Sequence, residues 1–213
     1  MRTSVSASPG ARRVWLKSRL AMGIVTILLW LAYTAIYTFP ASEATAALIQ
    51  FIPGILGIAI VIMAGLKRED CYLRAAQISR SGAAVLAAAS VIFIPILATG
   101  RFTGWNWLSG LVYAPASGIA QELFFRATLL PAFMAIFKGK RWLALSLHSL
   151  LFALWHVPVA FMEAPLAGAM AVTVVTFLAG IAWGWQVQRD RTVVWAMAHH
   201  VLGLVIMSLF TWG

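Results

Sequence analysis

Residues Leu20 to Phe39, LAMGIVTILLWLAYTAIYTF, run for twenty positions without one charged side chain. At 1.5 Å per helical residue the stretch covers about 30 Å, the depth of a bilayer's hydrocarbon layer. It is of full span length and lacks the short apolar core and small-residue cleavage site of a secretory signal, so it is expected to stay in the mature protein. Six further apolar segments follow: Ala44 to Leu66, Gly82 to Thr99, Ala116 to Phe137, Trp142 to Met162, Leu166 to Val187 and Val193 to Trp212. The stretch Trp105 to Phe137 is too long for one simple crossing. Pro115, followed by Ala116, Ser117 and Gly118, predicts a break there, with a short interfacial piece at Trp105 to Tyr113.

Of the 213 residues, 62% are hydrophobic and 10% charged, with a mean hydropathy of +0.89. A soluble domain of this length hides only about 70% of its unfolded surface and carries about 25% charged residues, so a water-soluble globule is excluded. A transmembrane barrel is excluded as well, because it needs alternating ten-residue strands rather than unbroken apolar runs. The expected fold is all-α, a polytopic transmembrane helical bundle of about seven spans. One membrane domain is expected, made of a basic N-terminal segment at 1–19, accessory transmembrane helices at 20–104 and a core carrying the motifs at 105–213. The single cysteine, Cys71, excludes an internal disulfide and a cysteine-rich metal site.

The net charge of +10 falls almost entirely on alternate connections. Arg2, Arg12, Arg13, Lys17 and Arg19 precede the first span, and Lys67, Arg68, Arg74 and Arg80 follow the second. Lys138, Lys140 and Arg141 follow the fourth, and Arg189 and Arg191 the sixth. Only Arg101 lies in an opposite loop and only Arg126 within a span. By the positive-inside rule the N-terminus is cytoplasmic and, after seven crossings, the C-terminus is outside. Trp15, Trp105, Trp107, Trp142, Trp183, Trp185 and Trp212 sit near proposed span ends, where indoles favour the headgroup region. The basic balance therefore reads as topology and contact with the lipid bilayer rather than nucleic-acid binding.

An ionisable side chain inside a span costs about 2.5 to 3.5 kcal/mol on insertion scales, so those that survive face a protein interior or a water-filled cavity. They are Glu122, Arg126, His148, His156, His199 and His200, with Gln121 as a neutral neighbour. Glu122 and Arg126, four apart, can pair on one helix face, whether to orient the helix or to serve a site. Gln121 points about 100° away from Glu122. Pro158 frees the Leu154 carbonyl and loosens the helix beside His156. His148 is expected to be an interhelical hydrogen-bonding residue. Counted from the basic ends, Glu122 and His156 lie about 24 and 22 Å deep and His199 about 12 Å. His199 and His200 diverge by about 100°, so one of them faces a given site; His200 is expected to face elsewhere.

These residues form an ordered set: QELFFR at Gln121 to Arg126, FALWH at Phe152 to His156 and HHVLG at His199 to Gly203. The set resembles the Abi family, also called the CAAX protease and bacteriocin-processing family of intramembrane endopeptidases. That family carries EExxxR, FxxxH and a late HxxxN on successive transmembrane helices. The resemblance covers roughly residues 105 to 213 and implies a multi-pass protein of a prokaryotic cell membrane that hydrolyses a peptide or membrane-protein substrate. It implies catalytic roles for Glu122, His156 and His199: His156 helps activate water and His199 helps stabilise the oxyanion. Glu122 and Arg126 take the second Glu and the Arg of the first motif, which support the site, and Phe152 packs beside it.

Two positions depart from the pattern. The family's first Glu is Gln121, whose amide cannot take up a proton at neutral pH, and the late Asn is Gly203, which removes an oxyanion donor. His156 alone, or Glu122 after a local rearrangement, then acts as base, or the site is silent. The chain has no HExxH, and catalytic zinc needs three protein ligands with an open fourth position, so no metal or other cofactor is expected; a divalent ion on His156, His199 and one carboxylate is the minor alternative. Three functions compete: an endopeptidase, a silent relative that binds a partner or a lipid-modified peptide, and a proton- or ion-coupled transporter. The last lacks a visible inverted repeat. Small residues on the spans fit packing within one chain or between chains alike, which leaves the oligomeric state open.

Overall fold

The computed structural model describes residues 9–38, 43–104, 106–163 and 165–211. Ten α-helices carry the chain: α1 (Pro9–Thr38), α2 (Glu43–Ile49), α3 (Phe51–Met63), α4 (Arg80–Ala89), α5 (Phe93–Thr99), α6 (Ala114–Phe124), α7 (Leu130–Ile136), α8 (Arg141–Glu163), α9 (Leu166–Asp190) and α10 (Val194–Leu209). Among the described residues four stretches are long and apolar enough to cross a membrane: Leu20–Thr38, Ser109–Ile136, Arg141–Met162 and Leu166–Asp190. The other three expected spans correspond to the shorter apolar helices Phe51–Met63, Arg80–Ile92 and Val194–Leu209.

The expected break in the 105–137 region does not occur. Residues 107–136 are helical without interruption, so Pro115 does not split off an interfacial piece; Trp105 lies outside the described residues. The physical reason is a widened π turn at Ser109–Tyr113, which contains Leu111, the residue whose carbonyl the Pro115 ring would strike in a regular α-helix. The same device recurs at Phe125–Leu129, where the turn contains Ala127, four residues before Pro131. Thr128 Oγ1 donates across this second turn to the Leu123 carbonyl at 3.1 Å. In the Ser109–Ile136 stretch 72% of the most apolar window is buried, against 17% in Leu20–Thr38 and 22% in Leu166–Asp190, so this twice-widened helix is the central one.

Around it α3 and α10 pack on α6, α1 on α7, and α8 along α9. The outward faces of the surrounding helices are apolar, with Leu28, Leu31, Ile55, Val91, Ile94, Val174 and Leu178 exposed, while Glu122, Arg126, His148 and Gln186 are buried. This inversion of the soluble pattern is that of an integral membrane protein, whose solvent is hydrocarbon.

The basic connections gather at one end. Arg191 meets Asp70 at 3.4 Å, Thr192 Oγ1 donates to the Arg74 carbonyl at 3.2 Å, the Val193 N–H donates to the Tyr72 carbonyl at 3.1 Å and Arg189 Nε donates to Ser81 Oγ at 3.2 Å. Asp190 completes this end by accepting from the Ser79 N–H at 3.2 Å and Gln186 Nε2 at 3.0 Å. A methyl group on Gly82 would collide with its carboxylate. Gly82→Ala should therefore cost about 1 to 3 kcal/mol in detergent unfolding, and Asp190→Ala in the same chain should recover part of it.

At the other end Arg101–Phe102 pairs antiparallel with Phe210–Thr211, in the register Arg101 with Thr211 and Phe102 with Phe210. Cys71 is buried in the loop between α3 and α4, and burial, reinforced by Asp70 and Glu69, pushes its thiol up to about 11. The fold thus favours the neutral thiol. At pH 8 about 0.1% is thiolate, against about a quarter of a free cysteine. Iodoacetamide labelling should be slower than in the unfolded chain by at least ~100-fold and should accelerate only as the pH nears 11.

Candidate active site

Glu122 lies in the last turn of α6 and Arg126 in the second π turn. Both side chains are fully buried, and Arg126 Nη1 lies 3.0 Å from Glu122 Oε1. A pair this deep persists only if other groups hold each charge. The guanidinium carbon sits 4.1 Å from the centroid of the Phe152 ring and 5.1 Å from that of Trp183, so ring faces take up part of its charge. Phe152 and His156 come from α8, and Trp183 from α9.

The second group on Glu122 is His200. Its Nδ1–H donates to Glu122 Oε1 at 2.8 Å, and its ring stacks on Trp183 with centroids 4.6 Å apart. This corrects the expectation that His200 faces elsewhere. Spacing along α10 shows only that His199 and His200 diverge; the rotation of the helix is set by packing. A Cβ on Gly118 of α6 would lie 2.8 Å from Val201 Cγ2 and 3.3 Å from Val201 Cα, so the bare glycine lets the α10 backbone approach there, one turn from Glu122. The depth mismatch has its own cause: α10 starts beneath the α3–α4 loop, with Thr192 and Val193 buried and bonded to Arg74 and Tyr72.

His199 turns the other way. Trp183 Nε1 donates to its Nδ1 at 3.0 Å, and Ser90 Oγ lies 3.0 Å from its Nε2. An indole N–H only donates, so Nδ1 carries no proton and the neutral ring holds its proton on Nε2, directed to Ser90. Ser90 passes its own hydroxyl proton to the Leu86 carbonyl at 3.1 Å. Both ring nitrogens of His199 are thus spent away from Glu122. Gly203 is filled from outside: a Cβ there would lie 2.8 Å from Phe93 Cε1, so the late Asn of the motif would not fit without displacing that ring.

His156 Nδ1–H donates to the Phe152 carbonyl at 2.8 Å, which leaves Nε2 as the basic nitrogen. Its ring meets the edge of Phe152 at 4.7 Å, and the His200 ring meets Phe152 at 5.9 Å. Phe152 is therefore the hub: Arg126 lies on its face and the two imidazoles stand at its sides. Gln121 is turned away from the carboxylate. Its Nε2 donates to Ser117 Oγ at 3.0 Å, and Ser117 Oγ donates to Gln50 Oε1 at 2.8 Å. His148 is fully buried but makes no hydrogen bond to another helix among the described residues; its Nδ1 lies 3.3 Å from the neighbouring Ser149 Oγ.

Trp183 is the residue that sequence reasoning misplaced. It reads as an interfacial anchor by position, yet it is buried and contacts Arg126, His199 and His200. Trp107 and Trp142 are exposed; the side chains of Trp15, Trp105 and Trp212 lie outside the described ones. Ser90, Ser117 and Gln50 carried no signal in the sequence, since isolated small polar residues in spans are common. Among the described residues no three His, Cys, Asp or Glu side chains come together as a metal site.

The family model for Rce1-like proteins, type II CAAX prenyl endopeptidases, matches residues 103–205. Over those residues the chain is similar to the Rce1-like family. The Rce1-like segment is just under half of the protein and contains Gln121, Glu122, Arg126, Phe152, His156, Trp183, His199, His200 and Gly203. The family is a protease family. No curated protein and no solved structure matches the chain.

Proposed function

We propose that this Rce1-like protein is an intramembrane endopeptidase that hydrolyses a peptide or membrane-associated protein by His/Glu-assisted attack of water. The observation that carries the reading is the 2.8 Å contact from His200 Nδ1–H to Glu122 Oε1. An ionised carboxylate fixes the tautomer, so His200 Nε2 is the basic nitrogen and Glu122 stabilises the imidazolium that forms when it accepts a proton. In this scheme a water gives its proton to an imidazole Nε2 while its oxygen bonds to the scissile carbonyl carbon. The tetrahedral intermediate carries one negative oxygen, which buried Arg126 stabilises electrostatically in place of the missing Asn donor. Collapse breaks the C–N bond, and the imidazolium returns the proton to the leaving amine. His156, the more exposed of the two imidazoles, is the first that a substrate meets.

Topology and address complete the proposal: a prokaryotic cell membrane, N-terminus and basic loops inside, no metal or cofactor in the reaction. Purified protein incubated with a library of unmodified peptides should yield products by mass spectrometry. Glu122→Gln should yield at least ~100-fold less, because it removes the charge that stabilises the imidazolium. A second reading has its own observations. Gln121 is committed to Ser117 and the Gly203 position is closed by Phe93, so two groups of the family pattern are replaced by packing. A silent relative would bind peptide and give no product; a product that vanishes in Glu122→Gln eliminates it.

A further inference from the structure

At the end of the bundle away from the basic loops lies a cavity of about 650 Å³ lined by Thr103, Asn106, Ser109, Tyr113, Ser117 and Ser208, with Leu204 between the helices. This size lies within the range of about 300 to 1,000 Å³ usual for ligand pockets. Among the described residues its wall holds no Asp, Glu, Lys, Arg or His, in a chain of net charge +10. Hydrogen-bonding capacity is nevertheless present in both senses. Asn106 Oδ1 accepts from the N–H groups of Leu108 and Ser109, both at 3.1 Å, which fixes the amide and leaves Nδ2 as a donor. The Tyr113 hydroxyl makes no hydrogen bond to the described residues. Thr103 and Ser208 give their protons to the carbonyls of Leu209 and Val205, at 3.1 and 2.7 Å, and keep oxygen lone pairs to accept with.

The helix faces that line the cavity also lead toward the buried cluster. Tyr113, Ser117 and Gln121 recur every four residues on the central helix, and His200, Leu204 and Ser208 do so on α10, so each set shares one helix face. The faces that line the cavity are the faces that carry Gln121 and His200 deeper in. The first π turn, Ser109–Tyr113, forms part of the rim.

We propose that this cavity is the substrate subsite of the endopeptidase and holds an uncharged, extended stretch of peptide, recognised through its backbone. A peptide backbone alternates carbonyl acceptors and N–H donors, which matches the mixed donors and acceptors of the wall, and a wall without charge excludes ionised side chains and free termini, whose desolvation nothing would offset. The proposal rests on the hydrolytic reading above. The specificity it confers is for the neutral, membrane-side portion of a substrate.

The test uses the full chain in detergent with Cys71→Ala and Ser208→Cys, so that N-ethylmaleimide reports on the cavity. An acetylated, amidated peptide of Ala, Leu, Ser and Gly is the probe. At ten times its dissociation constant, mass action should slow labelling about tenfold. The same peptide ending in Asp or Lys should protect at least ~10-fold less well at equal concentration. Tyr113→Phe, which leaves the bundle packing intact, should raise the concentration for half protection by ~5- to 10-fold, and Ala114→Trp, which fills the cavity, should abolish protection. Protection without any product supports the subsite and removes the hydrolytic reading. Cleavage with no protection and with an unchanged KM in Tyr113→Phe overturns the subsite and leaves the hydrolytic reading standing. Equal protection by charged and uncharged peptides also overturns the proposal.

Discussion

Glu122→Ala is expected to lower stability by about 3 to 5 kcal/mol, the cost of leaving one member of a buried ion pair alone. The carboxylate is the partner of Arg126 at 3.0 Å and of His200 at 2.8 Å, and Arg126 has no exposed surface through which to recruit water. Unfolding by SDS or urea in mixed micelles measures the loss. The double variant Glu122→Gln with Arg126→Met should recover most of it, since replacing both charges by neutral groups of similar volume is often neutral. It should recover no peptidase activity, which separates folding from chemistry. A single variant within about 0.5 kcal/mol of the parent would mean that the guanidinium finds another anion or solvent, against the packing described.

The second large effect concerns the two adjacent histidines. His200→Ala should reduce turnover by about 10² to 10⁴, the usual contribution of a positioned proton-transfer group, and should also cost about 1 to 3 kcal/mol for the buried carboxylate left without its ring partner. His199→Ala should share the stability loss but not the loss of turnover. It leaves the Trp183 indole N–H and the Ser90 hydroxyl side without their ring partner, at about 1 to 3 kcal/mol, and should lower turnover less than tenfold. If the losses of turnover are exchanged between the two variants, the motif-based role of His199 stands and the Glu122–His200 pair is structural.

The class of fold was legible because it follows from uninterrupted apolar runs such as Leu20 to Phe39, and from arginines and lysines on alternate loops; both are one-dimensional quantities. The Glu122–Arg126 contact was legible for the same reason, since four residues along a helix is a fixed distance. What escaped depends on rotation and on contacts between helices. The face of α10 is decided by Gly118 against Val201, and the start of α10 by a loop that lies over it. The place of Trp183 is decided by what α8 and α10 bring to it, while its position near a span end suggested headgroups. Pro115 read as a break because a proline ring clashes in a regular helix, and the neighbouring turn is not regular.

Those two widened turns have a consequence for how the chain can change. Each holds one residue more than an α-helix needs, so losing one residue there shortens the helix without severing it. Deleting Ala127 would let the turn relax to a regular α turn with the helix beyond it in phase, but it would return the Pro131 ring to a clash with the carbonyl four residues before it and draw the Thr128 hydroxyl off the Leu123 carbonyl. The central helix thus accommodates its prolines by count as much as by composition, and a length change of one within Phe125–Leu129 should be tolerated less well than most single substitutions there.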